Sequence, residues 1–149
     1  MKTYLFNASV ILCAFFMPLF AACGSTHAAS KTYSGSGGMQ AYEISNEVYE
    51  YHYEHGFTGP DSMGWDPNLQ YAWSRLGAAK TCGIAFSEKS AVEQLIKKYG
   101  HRKIVHTLNG IEFHYVHSKK NPKFCTPERV KELESVVPGF ERGVFPEKY

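Results

Sequence analysis

The sequence predicts a small α+β domain, in which a short antiparallel sheet that includes a 104–116 hairpin packs against about three helices. Two mainly apolar runs flank Asn109-Gly110, the pair favoured in a two-residue type I′ turn because both positions need a positive φ. Capping residues open three helix-like stretches elsewhere in the chain. Residues 47–55 alternate tyrosines with polar residues, which is typical of a half-exposed strand.

The segment 47–55 has a second interpretation. As a strand, it would place Tyr49, Tyr51 and Tyr53 on one face, and the high tyrosine content favours this structure. The alternative is a helix that ends at Gly56. The apolar stripe of that helix would consist of Ile44, Val48, Tyr51 and His55.

Two helices are predicted between this segment and the hairpin. Asp66 followed by Pro67 suits a helix N-terminus, and this helix is expected to end near Cys82. Ser87 opens the clearest helix of the chain, which Gly100 is expected to end.

The last predicted helix follows the hairpin. Thr126 followed by Pro127 repeats the N-terminal capping pattern. The pair Pro138-Gly139 is expected to stop the helix, because proline lacks the N–H that an interior position needs.

Residues 1–22 have the organisation of a secretory signal sequence. A lysine near the N-terminus precedes an almost unbroken apolar stretch, and two small residues precede Cys23. The motif Phe20-Ala21-Ala22-Cys23 resembles the lipobox of bacterial lipoproteins, with Phe20 where an aliphatic residue is usual. The resemblance implies cleavage before Cys23 and a diacylglycerol on its thiol.

The export signal predicts where the protein works. The leading interpretation is a lipid-anchored protein of a bacterial cell envelope, facing the periplasm or the cell surface. Cleavage after Ala28 would instead release a soluble periplasmic or secreted protein, and an uncut segment of about 20 apolar residues would span a bilayer. Residues 23–40 are rich in Ser and Gly and are expected to form a flexible tether, which leaves 41–149 as a single globular domain.

Charge is unevenly distributed along the chain. The net charge of +2 argues against a nucleic-acid binder. Residues 32–74 carry −6, whereas residues 75–123 carry +7. The simpler interpretation is that the acidic part folds against the basic part, and the alternative is a surface dipole that faces an anionic membrane or a charged partner.

Cys82 and Cys125 carry two opposed chemical interpretations. In an exported protein the pair predicts a disulfide, and chain entropy in a loop of this length contributes roughly 4 kcal/mol. The alternative is a thiolate nucleophile at Cys82 with His106 or His114 as its base, in a hydrolase of peptidoglycan or peptide.

No metal site or other cofactor is predicted, because on a strand the members of the pairs His52/His55 and His114/His117 point to opposite faces. In the helical alternative, His52 and His55 would share a face near Glu54 and offer a zinc or copper site, without a recognised spacing motif.

Aromatic and basic residues are the candidates for partner binding. Tyr and Trp suit interfaces, and the candidates of this type are Tyr49, Tyr51, Tyr53 and Trp65. Lys119 and Lys120 are expected to join the basic run 97–103 at one end of the hairpin, as a dock for lipid phosphates, cell-wall carboxylates or an acidic protein.

The functional hypothesis that these observations favour is a macromolecule-binding module with a protein or cell-wall partner. In one version it is an inhibitor or immunity-type protein directed against an enzyme that acts in the periplasm. The alternatives are the cysteine hydrolase and a structural subunit of an envelope assembly.

Overall fold

The computed structural model describes residues 43–101 and 104–149 of the chain. These residues form five α-helices: α1 (Asn46–His55), α2 (Pro67–Thr81), α3 (Glu88–Tyr99), α4 (Ile104–Lys120) and α5 (Pro127–Glu141). A 3₁₀ turn, Gly59–Ser62, lies between α1 and α2. The predictions for the signal sequence, the lipid on Cys23 and the tether lie outside the described residues.

The predicted α+β class is wrong, because the described residues contain no strand and the expected hairpin is the helix α4. Gly110 is not a turn residue. It lies where α4 crosses α2, and a Cβ at this position would lie 2.4 Å from atoms of the Trp73 ring. Gly77 on α2 plays the same role, since its Cβ would lie 2.6 Å from the backbone nitrogen of Tyr115. The two glycines let the helices approach more closely than larger residues would allow.

The strand predicted for residues 47–55 is also wrong, and the alternative helix has the correct type and end. The Ser45 hydroxyl caps α1, and the Gly56 N–H donates to the carbonyl of His52. The predicted buried face is incorrect, however. Tyr49 and Tyr53, which lie four residues apart, point into the core, whereas Tyr51 is 61% exposed.

The predicted helices α2 and α3 are confirmed, together with their caps. The Asp66 carboxylate accepts hydrogen bonds from the N–H groups of Asn68 and Leu69, at 2.8 and 3.2 Å. The Ser87 hydroxyl accepts from the Ser90 N–H, and Gly100 ends α3 with a φ of 100°. Each cap satisfies backbone donors that the first helical turn leaves free.

The last helix begins as predicted but ends later. Thr126 caps α5 by accepting from the Arg129 N–H. The helix then continues through Pro138 to Glu141, so the predicted stop at Pro138-Gly139 is wrong. Proline removes one helical hydrogen bond, and the burial of Val137 and Phe140 on either side of it holds the helix together.

Helix α2 is the centre of the domain. All its residues from Leu69 to Ala79 are buried, and α3, α4 and α5 pack around it. A helix that is buried all round needs small residues where its neighbours cross, which explains Ala72, Gly77 and Ala78. Within the residues that the structure describes, no helix is both long and apolar enough to cross a bilayer.

Candidate functional site

The outer face of α4 carries a row of exposed apolar side chains. Their exposed fractions lie between 40% and 60%, and we call them the α4 stripe: Ile104, Val105, Leu108 and Val116. Single exposed apolar residues are common, but several along one helix face are typical of an interaction surface. The α4 stripe is therefore the first candidate site.

The charges beside the α4 stripe are unequal. Glu112 lies one turn after Leu108, and Lys80 of α2 pairs with its carboxylate at 3.2 Å. Lys119, one turn after Tyr115, donates to the Tyr115 hydroxyl at 3.1 Å and keeps its positive charge at the surface. The border of the α4 stripe is thus basic, because the Glu112 carboxylate is paired with Lys80 of the same fold, whereas Lys119 keeps its charge at the surface.

Helix α1 carries a second exposed row, which we call the α1 stripe: Val48, Tyr51 and His55. The rings of Tyr51 and His55 pack with their centroids 4.6 Å apart. Glu47 precedes Tyr51 by one turn and is exposed, as is Glu43 just before the helix. These three residues belong to the apolar face predicted for the helical alternative, but they face solvent, whereas its fourth member, Ile44, packs partly against the core. Glu47 gives this stripe an acidic border.

A buried polar cluster fixes α1 against α2 and α4. The Tyr49 hydroxyl donates to the backbone carbonyl of His114 at 3.1 Å. The His114 Nε2 lies 3.0 Å from the Gln70 Oε1 and donates to it, and the Gln70 amide donates to the Ser62 carbonyl. Burial lowers the pKa of His114 well below 6.5 and raises the pKa of Tyr49.

His117 extends this cluster toward the end of α4. Its Nδ1 donates to the Phe113 carbonyl at 2.9 Å, and its ring stacks on Tyr49 with centroids 5.6 Å apart. Burial lowers the pKa of His117, and Lys120 lowers it further. Among the described residues, neither the His114 Nδ1 nor the His117 Nε2 has a hydrogen-bond partner. Both imidazoles are therefore built into the core in their neutral form.

Arg75 joins α2 to α1 and α5 from a buried position. Its Nη1 donates to the Tyr53 carbonyl at 2.7 Å, and its Nε and Nη2 each lie 3.0 Å from one Glu132 carboxylate oxygen. The guanidinium also lies over the rings of Tyr53 and Tyr71, at 3.9 and 4.4 Å from their centroids. These contacts match a buried charge on several sides, which is a structural role.

The acidic part of the chain makes ion pairs with basic residues of α4 and α5. Arg129 of α5 contacts Glu54 at 2.8 Å and Glu50 at 3.2 Å. Lys120 lies 3.9 Å from Glu43. These pairs agree with the simpler interpretation of the charge pattern, although Arg129 lies beyond the basic segment that the sequence singled out.

The structure joins Cys82 to Cys125, with Cα atoms 5.5 Å apart, in agreement with the predicted disulfide. The bridge ties the end of α2 to the residue before the cap of α5. It leaves no thiolate at Cys82, and His114 is engaged in the core with Gln70. His106 lies on α4 beside Trp65, with ring centroids 4.9 Å apart. The alternative catalytic set is therefore not assembled in the oxidised protein.

The predicted partner-binding residues are separated by the fold. Tyr49 and Tyr53 are at most 1% exposed, so they belong to the core. Trp65 is half-buried against Trp73, and Tyr51 lies on the α1 stripe. The strand interpretation placed Tyr49, Tyr51 and Tyr53 on one face. In a helix, residues four apart share a face, so the spacing of Tyr49 and Tyr53 is the signal that separates this pair from Tyr51.

The two basic runs do not form one dock. Lys119 and Lys120 are the last residues of α4, whereas the run 97–103 precedes its first residue. A helix of 17 residues is about 25 Å long, so the runs lie at opposite ends of it. Residues 102–103 of that run lie outside the described residues.

Metal binding finds no support in this part of the chain, since the described residues contain no cluster of three or more potential ligands. His52, which the helical alternative would place on one face with His55, donates from Nδ1 to the Gly56 carbonyl at 3.2 Å.

Comparison with known proteins found no matching family model, curated protein or solved structure.

Proposed function

We propose that this chain is an exported, lipid-anchored protein of a bacterial envelope, whose helical head binds a macromolecular partner. The observation that carries the binding role is the α4 stripe, a set of four exposed apolar side chains on one helix face, with Glu112 between Leu108 and Val116. Apolar side chains in such a row lose unfavourable contact with water when a partner covers them.

The packing of α4 supports this role. Its inner face is fixed by Gly110 against Trp73 and by a hydrogen bond between the hydroxyls of Ser118 and Thr81. A helix held in this way presents its outer side chains on a rigid platform. Binding to a preformed surface avoids the entropy of ordering a loop.

The inhibitor or immunity-type version of the proposal draws on the same features. Such a protein needs a rigid surface that covers another molecule, and it needs no nucleophile of its own. The disulfide between Cys82 and Cys125 removes the thiolate that a hydrolase would use and adds stability in an oxidising compartment.

Partner capture tests the binding role. Tagged full-length chain is recovered from a crosslinked bacterial envelope fraction, and the co-purified proteins are identified by mass spectrometry. Leu108→Glu places a charge in the α4 stripe and should abolish recovery of the partner. Val144→Glu makes the same change at a valine that is 62% exposed outside the helices, and it should leave recovery intact. Equal recovery with both variants would exclude the α4 stripe.

A separate measurement tests the anchor. Metabolic labelling with palmitate should mark the wild-type chain in the membrane fraction, and Cys23→Ala should lose the label. A labelled Cys23→Ala variant, or an unprocessed chain in the cytosol with free Cys82 and Cys125, would contradict the export proposal.

A further inference from the structure

We infer that one partner of the α4 stripe is a second copy of this chain, which docks through its α1 stripe. This inference rests on the binding role proposed for the α4 stripe and names the molecule that covers it. Both stripes are exposed on the same head, so within one copy neither covers the other.

Charge is the reason for choosing this occupant. The α4 stripe is bordered by Lys119, while its carboxylate Glu112 is already paired with Lys80. The α1 stripe is bordered by the exposed carboxylate of Glu47, whereas Glu43 is already paired with Lys120 of the same copy at 3.9 Å. An apolar row with a basic border and an apolar row with an acidic border are complementary, and like borders would repel.

The aromatic content of the α1 stripe fits the same role. Tyr51 offers a large side chain with few rotatable bonds, and its ring is already packed on His55. The four apolar residues of the α4 stripe provide aliphatic contacts for such a ring. Helix α1 has 10 residues and α4 has 17, so the shorter row fits within the length of the longer one.

The geometry of the association follows from using two different surfaces. A contact between an α1 stripe and an α4 stripe leaves one stripe of each type free at the ends of the pair. Such a head-to-tail contact can add further copies, unlike a two-fold contact between identical surfaces. The stripes contain only three and four residues, so the free heads should associate weakly, and the proposed anchor at Cys23 would raise their effective concentration.

Site-specific photocrosslinking in cells tests the inference on the full chain. Two copies with different tags are co-expressed in a bacterial host, and Val105 of one copy is replaced by p-benzoylphenylalanine. Irradiation should give an adduct that contains both tags, with the crosslink on residues 43–55 of the other copy. A weaker ladder of larger adducts should accompany it.

Charge reversal provides the specific control. Lys119→Glu in the probe copy should lower the adduct yield about tenfold, because an attraction becomes a repulsion. Glu47→Lys in the other copy should restore most of that yield. Lys89→Glu makes the same change at an exposed lysine of α3 and should leave the yield unchanged.

Other outcomes overturn the inference. A crosslink from Val105 to α4 of the other copy would indicate a two-fold contact between α4 stripes. An adduct with a different protein, without one that contains both tags, would leave the proposed binding role standing and remove the second copy as its partner. An adduct only with lipid would assign the stripe to the bilayer, and the absence of any adduct would count against both proposals.

Discussion

The buried histidines predict that acid destabilises the head well above the pH at which carboxylates are protonated. His114 is fully buried, and burial lowers its folded-state pKa well below 6.5. In the unfolded chain this histidine binds a proton near its usual pKa of 6.5, so below that pH the unfolded state binds more protons. The contribution of His114 to stability is therefore fully present above pH 6.5, and it is lost as the pH falls toward the folded-state pKa of this histidine.

The size of the effect follows from proton linkage. Between the two pKa values, one proton taken up on unfolding lowers the free energy of unfolding by about 1.4 kcal/mol per pH unit. His117 adds a second contribution of the same sign, because burial lowers its pKa as well. The groups that face the pair are Tyr49 of α1, Arg75 of α2, Lys120 of α4 and Glu43 before α1.

Urea denaturation between pH 7.5 and pH 5 measures this slope. The wild-type protein should lose more than about 1 kcal/mol per pH unit below pH 6.5. His114→Gln places an amide near Gln70, and it should flatten the slope while lowering stability at pH 7.5. His55→Gln changes an exposed histidine and should leave the slope unchanged. A wild-type slope near zero, or an equal slope in His114→Gln, would refute the reasoning.

Three further predictions concern the packing of α2. Gly110→Ala should lower the free energy of unfolding by about 1–3 kcal/mol, because the new Cβ meets the Trp73 ring. On an open helix face the same change would raise the free energy of unfolding by about 1 kcal/mol. Urea denaturation of the variant and the wild type distinguishes these outcomes. Glu132→Gln should lower stability by about 1–3 kcal/mol, because it leaves the buried charge of Arg75 less well matched, and a Tm that stays constant would contradict this role. Reduction of the bridge, or the double change Cys82→Ala and Cys125→Ala, should lower stability by about 2–4 kcal/mol with the helical circular dichroism retained at 20 °C.

The helices that the sequence predicts correctly are those whose ends are marked by local chemistry. Asp66, Ser87 and Thr126 each accept a hydrogen bond from the first turn of a helix, and that contact depends on a few neighbouring residues. Gly56 likewise ends α1 as the helical alternative expected. Local signals of this kind are visible in a single sequence because nothing distant has to be known.

The candidate site residues were harder to predict because burial depends on distant contacts. Tyr49 lies in the core because His114 and His117 of α4 face it, and those residues are more than sixty positions away. Arg75 is buried because Glu132 and the Tyr53 carbonyl receive its guanidinium. A tyrosine and an arginine are ordinary surface residues until such partners are known.

Helix α4 shows why the fold prediction failed and why the candidate site exists. Its buried face is mostly small or polar, because it crosses α2 at Gly110 and receives Tyr49 and Gln70 at His114. Three of its β-branched residues, Ile104, Val105 and Val116, lie outside, where they imitate the pattern of a strand. Two others, Thr107 and Ile111, are buried. A helix that were only structural would gain from polar residues on this outer face. The exposure of these apolar side chains is accounted for when another molecule covers the α4 stripe. The same residues that led to the wrong prediction of a hairpin are therefore the main support for a binding surface.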